Sequence, residues 1–363
     1  MMSKKTNALI LIALWAVLTL LLWFGPRQES SDAERRPLAQ MPEITMDSVL
    51  SGKFMSDFEA FTLDQFPLRD SFRSLKSLFH RFCLGQSDVN GIYIHNGYAA
   101  KMEYPLNRVS IRHALERFHH LHEKYLSDAD VYMAIVPDKG YYLAQESGHL
   151  ALDYEALFSA FREGLPWATH IDLTDTLSLE DYYRTDTHWR QERLLSAASK
   201  LSEALGIPGP DAADYTATAI DRPFQGVYRG QAALPMEPDT LYVMNSELLS
   251  QCRVFDHETG KTSAVYDMDQ LESKDLYDVY LSGAKALLTI ENPNGPAGKE
   301  LIIFRDSFGS SIIPLLAAQY AKITVVDIRY VNIDLLDRFV DFRGQDVLLL
   351  YSTLVLNSSD TIR

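Results

Sequence analysis

Cysteine is almost missing from this chain, which has two in 363 residues, Cys83 and Cys252. Two thiols are too few for a disulfide framework or an all-cysteine zinc site, and leave open one bridge or two free thiols. Glycine (18) and proline (15) are sparse. That excludes collagen-like and low-complexity linker sequences, in which those residues reach about 25–30% or more. Positive charge is also short, with 34 Lys+Arg against 49 Asp+Glu and a formal charge of −15. A surface of that sign repels phosphate backbones and argues against a nucleic-acid partner. No internal repeat and no low-complexity tract is visible. What is present is core-forming material, 47% hydrophobic against 23% charged residues. A prior of ~150 residues per domain allows two domains or one large α/β domain with insertions.

There is a single long uncharged run, from Thr6 to Pro26, behind Lys4 and Lys5. At ~1.5 Å per residue a helix of that length crosses a bilayer core of ~30 Å. Trp23 stands where an interfacial aromatic belongs, and the two lysines hold the N-terminus in the cytoplasm. Arg27 on the far side weakens that asymmetry. A cleaved signal peptide is the rival reading, with Ser31-Asp32-Ala33 as a small-x-small site. The run exceeds the usual signal h-region of ~7–15 residues, which favours an uncleaved signal anchor over residues 1–26. Either reading places the rest of the chain outside the cytoplasm, at the cell surface.

Residues 27–40 are polar and read as a tether. Val49, Leu50, Phe54, Phe58 and Phe61 then recur at helical spacing, and Asp70 is expected to cap a following helix. Asn90-Gly91 and Asn96-Gly97 bracket a hairpin-like segment, IYIH. Tether and helical stalk therefore occupy 27–107. From 108 onward short apolar runs (131–137, 169–173, 301–304, 323–328, 347–351) alternate with helical patterns at about 108–126, 154–163, 191–205, 310–320 and 333–340. That rhythm predicts an α/β fold, a parallel sheet with helices on both faces. The stretch 210–299, rich in Asp, Pro, Gly and Tyr, reads as an irregular, partly β insertion into a domain spanning 108–363.

Two segments carry residue types suited to nucleophilic chemistry. In LIIFRDSFGSSIIPLL, Ser307 falls between a buried strand and a helix, where a sharp turn exposes the hydroxyl. The unpaired N–H groups of the helix start face any oxyanion that forms there. It is not a G-x-S-x-G elbow, because Arg305 stands two before the serine, and a plain helix N-cap is the simpler reading of Ser307 taken alone. In DYYRTDTHWR, Asp186 and His188 share one face of an extended loop. The carboxylate can accept from one imidazole nitrogen while the other faces a hydroxyl. Helix capping by Asp186 or Thr187 is the simpler reading of that segment alone. Together the two segments put Asp, His and Ser beside predicted sheet edges, where open α/β sheets build their sites.

In the same order the chain carries RRPLAQMPEIT, SGKFMSDFEAFTLDQFPLRDSF, IVPDKGYYL, YYRTDTHW and LIIFRDSFGSSIIPLL. With these motifs it resembles the DHHW proteins, relatives of the alginate O-acetyltransferase group among the SGNH hydrolases, from about Arg36 to Asn357. The resemblance implies an SGNH-hydrolase-like fold and an extracytoplasmic enzyme. It implies Ser307 as nucleophile, His188 as base and Asp186 as orienting carboxylate. It also implies an acetyl-group supply from a membrane-bound O-acyltransferase partner, with a surface polysaccharide or glycopolymer as acceptor. No metal and no organic cofactor is implied. Two departures stand out. Thr187 replaces the first histidine of D-H-H-W, and Ala284 follows Gly283 where relatives commonly have Gly-Asn. That leaves the backbone N–H groups near Ser307 to serve an oxyanion, with Gly283 a further candidate, and losing one donor can cost about 10²–10³ in rate.

Lys139 after the first predicted strand, Tyr183 and Arg305 are candidate substrate contacts. Trp189 and Tyr228 are candidate cleft aromatics. His113, His119, His120 and His122 lack metal-ligand spacing and read as one polar helix face. Two functions compete. One is serine-dependent acetyl transfer, as O-acetyltransferase or acetylesterase. The other is a weakly active or inactive glycan-binding scaffold of a polysaccharide-modification complex.

Overall fold

A computed structural model describes residues 3–363. Met1 and Met2 of the expected cytoplasmic tip lie outside the described residues. The chain divides into two compact units, one running to Asn90 with Arg229–Met236, the other comprising Gly91–Tyr228 and Glu237–Arg363.

The first unit is helical. Helix α1 (Lys4–Phe24) is capped by Ser3, whose side chain accepts from the Thr6 N–H, and buries none of its side chains. Among the described residues it alone is long and apolar enough to cross a membrane. Short α2 (Met46–Leu50) starts at a reciprocal Thr45/Ser48 capping box, and α3 (Lys53–Asp64) follows Gly52. Helix α4 (Arg69–Leu78) runs on through a wide turn at Phe79–Cys83. Asp70, expected as its cap, lies inside the first turn instead, and Leu68 occupies the cap position without a side-chain bond.

The second unit is built on an eight-stranded sheet. In chain order its strands are β1 (Val131–Val136), β2 (Ala168–Asp172), β3 (Arg253–Asp256), β4 (Lys261–Ser263), β5 (Leu287–Glu291), β6 (Glu300–Arg305), β7 (Lys322–Val326) and β8 (Asp346–Ser352). Across the sheet they run β4-β3-β5-β7-β6-β8-β1-β2. The five from β7 to β2 are parallel, while β5, β3 and β4 add an antiparallel edge. The stretch read as an insertion thus supplies three strands to the main sheet, besides a separate pair at Thr216–Phe224 and Asp239–Asn245.

Both faces of the sheet are buried. Leu301, Ile303, Leu348 and Leu350 pack into one core with α8 (Leu195–Ala204) and α9 (Gly309–Leu316). Ile302, Phe304, Val347 and Leu349 pack into the other with α5 (Arg108–Leu121) and α7 (Tyr154–Gly164). The two-residue period of a strand sends alternate side chains to opposite faces, so runs apolar at every position require cover on both sides.

The expected helix at 191–205 begins as a 3-10 turn and becomes α-helical at Leu195, closing at Gly206 with a positive φ of 64°. Helix α9 is α-helical to Leu316 and runs on as a 3-10 turn over Ala317–Gln319, close to the expected end near Tyr320. Pro314 inside it lacks the N–H that would bond back to the Ser310 carbonyl. Helix α6 (Lys139–Ser147) escapes the sequence reading; its cap is the Asp138 side chain, accepting from the Gly140 N–H. Cys83 is exposed, Cys252 is buried, and both are free thiols.

Candidate active site

Ser307 follows β6 on the turn into α9. Asp306 shapes that turn: one carboxylate oxygen accepts from the Phe308 N–H at 3.0 Å. The other accepts from the Ser352 N–H and hydroxyl at the end of β8, at 2.7 and 2.6 Å. The Gly309 and Ser310 N–H groups close onto the Asp306 and Ser307 carbonyls. The Ser307 N–H has no such partner among the described residues, which leaves it available to an oxyanion.

The loop between the short helical turn Leu179–Asp181 and α8 brings the other two residues. The Ser307 hydroxyl donates to His188 Nε2 at 2.8 Å, and His188 Nδ1 donates to Asp186 at 2.7 Å. Asp186 is fully buried, and accepts as well from the His188 and Val227 N–H groups at 3.1 and 2.9 Å. The imidazole stacks on Tyr277, with centroids 3.9 Å apart and planes 9° apart. Burial holds the Tyr277 phenol well above its ordinary pKa, so it stays neutral. Its hydroxyl donates to Ser311 of α9 at 2.8 Å. Trp189 donates to the same Ser311 oxygen and to the Phe308 carbonyl, at 2.9 and 3.0 Å. The W of the motif therefore ties the histidine loop to the serine turn.

Asp239 secures the loop from the other side, accepting from the Arg184 and Thr185 N–H groups at 2.9 and 2.8 Å and from the Thr185 hydroxyl at 2.6 Å. Gly226 passes so close that a Cβ there would stand 2.3 Å from the Asp186 nitrogen. Thr187, in place of a histidine, shares a 2.9 Å hydrogen bond with the Tyr228 phenol. Sequence reasoning missed Tyr277, Asp239 and Gly226. Each belongs to the stretch 210–299 without a motif of its own, and proximity to His188 or Asp186 exists only in the folded chain.

The other candidates are turned to protein partners. Lys139 is buried and donates to the Tyr183 and Arg184 carbonyls at 2.8 and 3.3 Å. Burial pushes its pKa down to about 7, with the Asp186 charge the first of the groups pulling it back up. Tyr183 is buried edge-on to Phe224, with its phenol near that of Tyr280. Arg305 has no exposed surface. It donates to the Gly283 carbonyl at 3.0 Å and faces Asp327 at 3.8 Å. Lys139, Tyr183 and Arg305 are therefore supports of the site rather than groups open to a substrate. Gly283, in a left-handed turn after Leu281 and Ser282, gives its N–H to the Tyr280 carbonyl. Its N–H is thus not offered to an oxyanion in this arrangement. Trp189 and Tyr228 are buried as well. His119 and His122 contact Trp167, and His120 pairs with Asp334.

A mostly parallel sheet covered by helices, with a serine turn and a histidine–carboxylate loop meeting at its strand ends, defines an SGNH-hydrolase-like α/β protein. Comparison with known proteins narrows the class. The family model described as DHHW protein matches residues 177–326, a span holding Asp186, His188 and Ser307. A DHHW family protein from Eubacterium siraeum is 22% identical with a TM-score of 0.62, over 76% of this chain and 95% of its own. Bacillus cereus PatB1 is 18% identical with a TM-score of 0.59, over 75% of this chain and 98% of its own. PatB1 carrying a sulfonyl adduct is 18% identical with a TM-score of 0.57, over 73% and 95%. No curated protein matches the chain.

Proposed function

We propose that this protein is an extracytoplasmic serine enzyme that transfers acetyl groups on a cell-surface polysaccharide or similar glycopolymer. The observation that carries the reading is the continuous hydrogen-bonded chain Ser307–His188–Asp186, 2.8 and 2.7 Å long in its two links. Attack of Ser307 Oγ on an acetyl carbonyl passes the hydroxyl proton to His188 Nε2. Asp186 stabilises the imidazolium, and the Ser307 N–H faces the oxyanion. Collapse returns the proton to the leaving group and leaves an acetyl-serine. A sugar hydroxyl, deprotonated by His188, then attacks the ester and releases Ser307; water in its place makes the same site an esterase. The imidazole points at the serine and Arg305 lies under the turn, which supports an enzyme over a glycan-binding scaffold.

The DHHW resemblance supplies acetyl as the group and a membrane-bound O-acyltransferase as its source. We assign residues 1–26 to a cytoplasmic tip and signal anchor, 27–107 to tether and stalk, and 108–363 to the catalytic domain.

The test is covalent trapping. The full chain in detergent is treated with a fluorophosphonate and a sulfonyl fluoride, beside His188→Ala and Ser307→Ala. Modification at Ser307 that falls by about 10³ or more without His188 supports the reading. No modification of folded protein at any pH from 6 to about 9 would sink it. Transfer of labelled acetyl to an oligosaccharide, against release as acetate, separates transferase from esterase.

A further inference from the structure

Helix α4 is amphipathic in the wrong direction for a water-exposed stalk. Its polar side chains face inward: Arg69 pairs with Glu34, Arg73 with Glu34 at 3.1 Å, and Ser77 is buried. Its apolar side chains face outward. Leu68, Phe72, Leu75, Phe79 and Phe82 follow one another at spacings of three and four, and each is between 45% and 75% exposed. A helix in water hides its apolar stripe and shows its charges, so this face is built for another medium.

The same unit shows which medium. The end of α1 is clamped to the stalk: Trp23 meets Phe58 of α3 at 6.2 Å, Arg27 lies over Phe61 at 4.6 Å, and Gln28 exchanges hydrogen bonds with Gln65. Leu21, Gly25 and Pro26 of the exit turn line one cavity of about 450 Å³ together with Leu68, Arg69, Asp70 and Ser71 at the start of α4. An α1 of 21 residues reaches across about 30 Å of hydrocarbon, so its last turn marks the headgroup level. The start of α4 is at that level too. Along α4 and its final turn, Arg69 and Arg73 are matched by Glu34, Asp64 and Asp70, while Lys76 and Arg81 have no carboxylate partner among the described residues, in a chain of charge −15. Anionic headgroups complement that local excess, whereas a second copy laid on the same face brings like charges together.

We propose that the apolar face of α4 lies in the outer interfacial layer of the bilayer from which α1 emerges, with anionic headgroups against Lys76 and Arg81. The proposal rests on α1 being a retained anchor, and the experiment separates the two. Exposed Cys83, next to Phe82, is labelled with an environment-sensitive fluorophore in the full chain, reconstituted in nanodiscs of neutral lipid with and without phosphatidylglycerol. A Cys83→Ser, Glu258→Cys chain, labelled on an exposed turn of the second unit, is the reference.

The expected result is severalfold stronger quenching by lipid-borne quencher at Cys83 than at position 258. The quenching increases with phosphatidylglycerol and is abolished by Phe79→Glu with Phe82→Glu. An unquenched Cys83 label on an anchored chain overturns the proposal and leaves the anchor standing; two chains per disc would then make a second copy the occupant. Intact mass of the protein from its own membranes tests the anchor. A mature chain lacking α1 that still floats with vesicles sinks the anchor and keeps the stalk at the bilayer, and one that stays in solution sinks both.

Discussion

Lys139 is an amine enclosed by protein beside the loop that presents Asp186, and its hydrogen bonds to the Tyr183 and Arg184 carbonyls make it a positioning residue. Its proton is released near pH 7 in the fold and near 10.5 in the unfolded chain. Between those values the unfolded chain binds more protons, so this group adds stability as pH rises above 7. Below pH 7 the penalty of a buried ammonium is present in full. Denaturant unfolding of the native chain and of Lys139→Met across that range is the measurement. The native chain is expected to gain on the variant by about 1.4 kcal/mol for each pH unit climbed inside the range. A constant difference would place Lys139 outside any titration there.

At the scale of elements the site depends on three segments converging: the turn from β6 into α9, the histidine loop, and the irregular stretch that brings Gly226, Asp239 and Tyr277. Gly226→Ala sets a methyl group against the Asp186 backbone. It is expected to displace the carboxylate and abolish Ser307 trapping while circular dichroism stays native. Tyr277 serves two contacts, the His188 stack and the Ser311 hydrogen bond. Tyr277→Phe keeps the first and loses the second, for an expected loss of about 0.5–1.5 kcal/mol in denaturant stability with trapping retained. Tyr277→Ala loses both. An expected cost of about 3–5 kcal/mol accompanies slower trapping, because nothing then fixes the imidazole plane.

At the scale of the whole molecule, Ser307, His188, Asp186 and Val227 all belong to the unit formed by Gly91–Tyr228 and Glu237–Arg363. A chain beginning at Arg27 is therefore expected to trap fluorophosphonate at the native rate. A rate that collapses with α1 would show that the anchor unit completes the site.

Much of this organisation is readable without coordinates, for reasons of period and local chemistry. Strands buried on both faces must be apolar at every position, which is why 131–137, 301–304 and 347–351 stand out. Ser307 and His188 are legible because a strand-to-helix serine and a D-x-H loop are local patterns. Helix α6 is not legible, since its apolar residues are few and its cap, Asp138, reads equally as a loop. Nor is the inward turn of Lys139, Tyr183 and Arg305, because burial of a polar side chain depends on partners far away in sequence. By itself the sequence determined the five parallel strands, the apolar first helix and the three reactive residue types, since each follows from spacing along the chain. Only the tertiary structure decided that the hydroxyl, imidazole and carboxylate form one hydrogen-bonded line, and that α4 shows its apolar face outward, because both are relations between segments that no local period encodes.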